Sequence, residues 1–543
     1  MLYPYPVFTL LNNASKSTGM ISIYPANEIS LQQNKADEFS YRKKLFALVV
    51  VLSAIKLILA FVSELGNDEA YYWLYSQYWQ WNYFDHPPMV AVWIRLFTAN
   101  LLLEQYEGFI RLGSVVGCAL STWFLFKAVS LIHSEKAGWF AAVLYNISFY
   151  SAITAGLYIL PDSPQMVFWT LDLLIIARIT KNELRWSNWL LFGLITGICI
   201  MSKVHGAFLW LGMGAFILFQ RSSLLRKPQP YISFLITLVI VSPILLWNLR
   251  YDFATFRFHS NRVDVDEFVL HVKYFFKELR SQVGFNNPVN FILVMCGLVA
   301  WYRRKIVYQP ALAIYNFIGL PLAFLLLFVS LFRNVTLPHW SGPAYVSLMP
   351  IAAVWLANAN KNSFPKILKW GLAIFLFAYL GYTSIIKFYP GTYGSHNLDD
   401  HGHGDVTLDM YGWKKASIKF DSLYENDVSN KRMPANAAMV TSNWWGAHVE
   451  YYFARPSHLK MIGLGKPRQI NEYLWTNKWR KDEVDLDSAY CIIPSDDKYY
   501  VPADFFQTKE LALIIDVNRN GMLAHSFAVY RLKGLKKQVP VVK

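Results

Sequence analysis

Eleven predominantly apolar runs constrain this chain more than any other feature: 44–63, 109–132, 138–158, 164–180, 187–202, 205–220, 231–249, 288–302, 310–331, 342–358 and 365–387. Hydrocarbon offers backbone amides no hydrogen-bond partner, and about 30 Å of it takes roughly 17–25 residues to cross, so runs of this kind predict membrane-spanning helices. Composition agrees, because 55% hydrophobic and 17% aromatic residues against 16% charged is too apolar for a soluble chain of 543 residues. The net charge of +15 does not imply nucleic acid, since the basic residues sit mainly in short segments between the apolar runs.

Those basic residues orient the spans. With Arg42, Lys43 and Lys44 taken as cytoplasmic, the same side receives Lys136, Lys181, Arg185, Arg221, Arg226, Lys227, Arg303, Arg304, Lys305, Lys361 and Lys366. The opposite short turns hold Lys203 and Arg333, an asymmetry that follows the positive-inside rule. Residues 1–43 are then expected to be a cytoplasmic N-terminal tail, flexible over 1–38, and the first span an uncleaved anchor. Residues 44–387 form the membrane domain, with outer loops 64–108 and 250–287, and an odd number of spans leaves 388–543 outside as a small soluble α/β domain. Of Cys118, Cys199, Cys296 and Cys491, the first three lie in apolar runs, so neither a disulfide framework nor a metal cluster is expected.

The stretch GNDEAYYWLYSQYWQWNYFDHPPMV, residues 66–90, puts Asp68 and Glu69 just beyond the first span. A solvated helix end would explain an arbitrary carboxylate there. Asp162, in the tight turn LYILPDSPQ on the same face, changes the weighting, because a carboxylate near the bilayer is costly unless it is used. Three carboxylates converging at one membrane face suit proton abstraction from a hydroxyl, or cation binding. His86, Lys203, His205 and His339 fall on that face too. Singly, a boundary lysine snorkels and a histidine is a satisfied polar tip. Together they make a cationic rim able to hold a phosphate, with Lys203 as point charge and His86 as hydrogen-bond donor.

An acidic pair after the first span, an aromatic helix, an acid-base-Pro-Pro turn, a Pro-Asp turn, a later outer lysine and an LPHW turn together resemble the bacterial protein mannosyltransferase and aminoarabinose (lipid A) transferase family. These are polytopic glycosyltransferases of the GT-C fold that take a sugar from a polyprenyl-phosphate carrier. The resemblance covers roughly residues 44–387. It implies an α-helical fold of about 11 spans, within a range of 11–13, plus a C-terminal periplasmic α/β domain, in the bacterial inner membrane. It also implies Asp68 as general base, with Glu69 beside it and Asp162 as a second acid. Tyr72 and Tyr83 would line the sugar pocket, and Lys203 and His86 would bind the donor phosphate. The aminoarabinose transferases carry Glu-Lys before Pro-Pro where this chain has Asp85 and His86, so the departure bears on phosphate binding and donor identity. His339 resembles a late outer histidine that in some members joins the acid, here Asp85, in holding a divalent metal ion; no cofactor is required. The partners implied are a polyprenyl-phosphate sugar, an envelope lipid, glycan or protein acceptor, and membrane lipids, with no nucleic acid. A multi-span transporter is the alternative, although such proteins usually carry ionisable groups near mid-membrane in paired halves. Asp172 and Lys56, inside spans, have no role in either reading.

Overall fold

A computed structural model of the chain describes residues 26–263, 269–333, 337–362, 364–496 and 500–542. Every apolar run is helical over most of its length, the run 138–158 breaking after Ile147 into a short π-helical turn, Tyr150–Thr154. In chain order the membrane domain contains α1 (Ala26–Val62), α2 (Asn67–Gln77), α3 (Met89–Phe97), α4 (Glu107–Ile132), α5 (Glu135–Ile147), α6 (Asp162–Lys181), α7 (Trp186–Ser202) and α8 (Ala207–Gln220). It continues with α9 (Pro228–Arg250), α10 (Ala254–Val263), α11 (Val272–Phe285), α12 (Pro288–Tyr302), α13 (Pro310–Ser330), α14 (Gly342–Ala359) and α15 (Lys366–Phe388). The two long loops 64–108 and 250–287 thus carry helices of their own, α2 with α3 and α10 with α11. Residues 26–43, expected as part of the N-terminal tail, form the first half of α1 itself, while residues 1–25 lie outside the described residues.

Among the described residues, length and apolarity alone let five helices cross a membrane: Ser40–Val62, Glu107–Ile132, Pro228–Arg250, Pro310–Ser330 and Lys366–Phe388. A sixth is added if α11 and α12, bent by 101° at their junction, form one broken span. The other apolar helices are shorter, such as the 14-residue α8, or carry charge, such as α6 with Asp162, Asp172, Arg178 and Lys181. Burial against neighbouring helices, which covers most of α6, lets it carry that charge. Asp172 accepts from Thr196 Oγ1 at 2.8 Å and Lys56 Nζ lies 2.9 Å from Cys118 Sγ, which gives each intramembrane charge a polar neighbour. Small residues permit the close packing expected between membrane helices. A Cβ on Gly193 of α7 would stand 2.2 Å from the Ser233 carbonyl oxygen of α9. All four cysteines are free.

The C-terminal part is the α/β domain that alternation of short apolar runs and helices suggested. It comprises α16 (Trp413–Ser429), β1 (Ala437–Thr441), α17 (Gly446–Val449), β2 (Lys460–Gly463), α18 (Pro467–Ile470), α19 (Tyr473–Arg480), β3 (Asp485–Pro494), β4 (Phe506–Arg519) and β5 (Met522–Leu535). The sheet order is β2-β1-β3-β5-β4. β1 pairs in parallel with β2 and β3, as a buried central strand reached through crossovers, while β3–β5 and β5–β4 are antiparallel. The β4–β5 hairpin turns on Asn520 (φ +49°) and Gly521 (φ +84°), residue types that tolerate the left-handed backbone. The domain is joined to the membrane part over a shared apolar core, in which Tyr71, Trp73 and Tyr75 of α2 pack with Tyr451, Phe453, Ile470 and Tyr473. Buried Arg519 fastens the end of α15 to it, donating to Gly391 O at 2.8 Å and pairing with Asp405 at 2.7 Å.

Candidate active site

The start of α2 separates its two adjacent carboxylates. Glu69 turns inward, 2% exposed. Its Oε2 accepts from Gly66 N at 3.0 Å and its Oε1 from Ile159 N at 3.0 Å, so it serves amides that the helix start and the neighbouring turn leave unpaired. Arg111 of α4, fully buried, donates its Nε to Glu69 Oε1 at 2.7 Å. The same guanidinium collects the carbonyls that end α1, those of Ser63 at 2.8 Å and Glu64 at 2.7 Å. One ion pair therefore fixes the end of α1 against the start of α2. Asp409 of the soluble domain adds a further hold, accepting from Asn67 N at 3.1 Å. Glu69, expected beside the base in catalysis, instead braces this corner and does not line the cavity below. Asp68, one residue earlier, is exposed and does line it.

That cavity, about 280 Å³, lies between the loop 64–108, the ends of the bundle helices on that side and the C-terminal domain. Asp68, Tyr72, Asp85 and His86 come from the loop, Asp162 from the start of α6, Lys203 from the α7–α8 turn, and His339 from the turn before α14. The turns that the charge pattern assigned to one face do meet there.

Lys203 Nζ sits 2.8 and 3.0 Å from the two Asp162 oxygens, both side chains being 3% exposed, and Tyr150 donates to Asp162 Oδ1 at 2.8 Å. An ammonium carries three donors, so the two contacts to Asp162 leave one for a ligand. Asp85 Oδ1 accepts from Tyr75 and, at 3.5 Å, from Tyr71. Burial, reinforced by the Asp85 charge, pushes both phenols well above their ordinary value, so they remain donors. The His86 ring packs on Tyr72 and on His259, 5.7 and 5.8 Å away.

Tyr83, expected in the sugar pocket, is not on the cavity wall. It stacks on Tyr75 at 4.1 Å, and its hydroxyl donates to the carbonyls of Tyr75 and Tyr78 at 2.8 and 2.9 Å, groups that the end of α2 leaves unpaired. Asp85 and His339 share the cavity, yet no group of three or more His, Cys, Asp or Glu among the described residues is arranged to hold a metal ion.

The residues that sequence reasoning missed come from elsewhere in the fold. Trp444, Arg468 and Asn471 of the soluble domain, with Tyr158 and Trp340, complete the wall. No local signal marks them, because the docking of the domain brings them there. Glu472 holds the Phe84–Asp85–His86 turn in place from behind. Only 1% exposed, it accepts from Gln80 Nε2 at 2.5 Å and Phe84 N at 3.0 Å. Burial pushes its carboxyl up to about 8, against the pull of those two hydrogen bonds.

Comparison with known proteins agrees with this geometry. Residues 85–247 match the family described as dolichyl-phosphate-mannose-protein mannosyltransferase. The chain is 22% identical over 307 residues to the lipid A galacturonosyltransferase RgtD of Rhizobium johnstonii, a match spanning 56% of this chain and 63% of that protein. In three dimensions it resembles ArnT from Cupriavidus metallidurans bound to undecaprenyl phosphate, with a TM-score of 0.60 at 14% identity over 90% of this chain and 98% of that one. The apo state of the same protein gives 0.59 at 13% identity, with the same coverage. The resemblance read from the loop motifs therefore has support both in sequence, over residues 85–247, and in fold, where the chain shares the overall architecture of the Cupriavidus protein.

Proposed function

We propose that the protein is an integral membrane glycosyltransferase that moves a sugar from a polyprenyl-phosphate carrier to an envelope acceptor. The carrying observation is the single cavity in which Asp68, Asp162, Lys203 and His339, distant in sequence, share a wall with Tyr72 and His86. The cavity opens where bundle ends and soluble domain meet, so a lipid-borne donor and a water-soluble acceptor group can both reach it. The name of the galacturonosyltransferase relative and the undecaprenyl phosphate bound to the Cupriavidus protein favour the same chemistry.

In this reaction the acceptor oxygen attacks the anomeric carbon as the bond from that carbon to the phosphate oxygen breaks. The acceptor proton passes to Asp68, and polyprenyl phosphate departs with the electron pair. An anionic phosphate leaves readily, so the protein supplies positioning, proton removal and stabilisation of the phosphate charge. Asp68 is suited to the second task because it is an exposed carboxylate on a braced helix start. Lys203, anchored by Asp162, and His86 meet the phosphate, and Tyr72 borders the sugar. One displacement inverts the anomeric centre. In this reading the N-terminus is cytoplasmic and the C-terminal domain periplasmic, and the acceptor is lipid A, another lipid, a polysaccharide or a protein hydroxyl. The transporter alternative gains no support, since the relatives named above are transferases and the ionisable groups gather at helix ends around one cavity.

The test is to incubate membranes containing the parent or Asp68→Asn with radiolabelled polyprenyl-phosphate sugars and candidate acceptors. Product from the parent and almost none from the variant is expected. Undiminished transfer by the variant removes Asp68 as base, and no transfer by the parent to any acceptor removes the proposal.

A further inference from the structure

The turn after β2 belongs to the soluble domain yet reaches the cavity beneath it. Its sequence is GLGKPRQIN, residues 463–471, and the fold holds it firmly. Gly465 lies so close to the Ser442 carbonyl oxygen that an added Cβ would stand 3.0 Å away. Ile470 is fully buried, and Gln469 O accepts from Trp444 N at 2.8 Å. Asn471 ends the turn at φ +47°, ψ −118°, a sparsely populated conformation that surrounding structure must enforce. Two side chains from this turn face the cavity, Arg468 and Asn471.

Both are available to a ligand. Arg468 is exposed, with no ion pair or hydrogen bond from its guanidinium among the described residues. Asn471 is 4% exposed, and its Oδ1 is buried with no hydrogen-bond partner, which is unusual for a group that costs free energy when left unpaired. The charges around the cavity make the point sharper. Asp68, Asp85 and Asp162 contribute three carboxylates, while the permanent cations among the described lining residues are Lys203, already bound to Asp162, and Arg468. An anion entering beside three carboxylates needs an uncommitted cation, and Arg468 is the one in place. A guanidinium also offers planar paired donors that match phosphate or carboxylate oxygens.

We propose that Arg468 binds an oxyanion of the substrate in the cavity and that Asn471 accepts from an adjacent sugar hydroxyl, so that the soluble domain completes the substrate site. This rests on the transferase reading, in which the oxyanion is the carrier phosphate or a carboxylate on the transferred sugar.

The test uses the full-length protein in nanodiscs, with quenching of intrinsic tryptophan fluorescence as the binding signal, since Trp340 and Trp444 line the cavity. Undecaprenyl phosphate and the uncharged undecaprenol are the probes. Arg468→Ala is expected to weaken binding of the phosphate lipid by about tenfold or more, the usual worth of a charge-assisted hydrogen bond, with Arg468→Lys retaining part of it and undecaprenol unaffected. Transfer from polyprenyl-phosphate-linked uronic acid and from its neutral hexose counterpart forms the second arm. A KM increase for the acidic donor alone, with phosphate-lipid binding unchanged, also supports the proposal and assigns the anion to the sugar. Unchanged phosphate-lipid binding together with unchanged KM for both donors overturns it. If the parent itself neither binds the phosphate lipid nor transfers sugar, the transferase reading falls and this proposal with it. Melting of the variants at the parent's temperature is expected from an exposed side chain and separates binding from folding.

Discussion

Asp68 and Glu69 are adjacent carboxylates with opposite duties, and exchanging each for its amide should separate them. Glu69→Gln keeps the shape but only one of the two acceptor oxygens that serve Gly66 N and Ile159 N, and it removes the charge opposite Arg111, which is 0% exposed. Losing one partner of a buried pair typically costs about 3–5 kcal/mol, because the surviving ion stays desolvated. Arg111 retains its bonds to the Ser63 and Glu64 carbonyls, so the lower end of that range, about 3 kcal/mol, is expected. Asp68→Asn keeps the shape of an exposed first-turn residue and weakens a helix-terminus interaction of about 0.3–1 kcal/mol. Its effect on turnover should be far larger, about 10²–10⁴-fold for a lost general base. Thermal unfolding followed by fluorescence-detected size exclusion, together with sugar transfer at a temperature where both variants are folded, gives the two readouts. Glu69→Gln should melt several degrees below the parent while its folded fraction still turns over. Asp68→Asn should melt with the parent and be nearly inactive. A Glu69→Gln protein that melts like the parent would refute the argument from the Arg111 pair.

Other perturbations probe separate joints. Lys203→Met and Asp162→Asn each strand a buried partner and should each cost about 3 kcal/mol or more, whereas the double variant should fall short of their sum by about 1–3 kcal/mol, measured as a double-mutant cycle in melting. Glu472 holds its proton up to about 8, compared with an ordinary 4.5, so between those values the folded protein carries a proton that the unfolded chain releases. Its contribution is fully present below pH 4.5 and lost as pH rises through about 8, a swing of about 3–5 kcal/mol. Melting temperature against pH should show that decline in the parent, and Glu472→Gln should flatten it. Gly193→Ala pushes a methyl to 2.2 Å from the Ser233 carbonyl oxygen and should cost about 1–3 kcal/mol, while Gly214→Ala, with open space around it, should leave melting unchanged or raise it.

What the sequence could reveal depended on whether the signal was periodic or positional. The helices were legible because hydrocarbon forces backbone pairing within each segment, and the basic turns between them carried the alternation that brought Asp68, Asp162, Lys203 and His339 to one face. Helix length was less telling. Segments such as the 14-residue α8 are apolar yet shorter than a full crossing takes. Along 66–86 the motif was visible but the direction of each side chain was not. One helical step of about 100° sends Asp68 to the cavity and Glu69 to Arg111, and the choice is made by Arg111, forty-odd residues away, which no local pattern ties to either acid. Tyr72 and Tyr83 part in the same way, because the carbonyls at the end of α2 claim the Tyr83 hydroxyl.

The soluble domain was the least legible part of the site, and the reason is physical. A membrane span announces itself through composition, whereas Arg468, Asn471 and Glu472 acquire their meaning only when a small domain settles on α2. That settling buries Tyr71 and Tyr75 against Ile470 and Tyr473, and it fixes the Phe84 turn through Glu472. Loop and domain therefore order each other: the aromatic face of α2 has no water-compatible alternative, and the domain has no other wall for the turn that carries Arg468. It follows that a change confined to their shared apolar core, remote from the cavity, should disturb substrate affinity as well as stability. Tyr473, fully buried and donating to Glu450 at 2.8 Å, is such a position, because the turn and the Glu472 clamp both end at its neighbours.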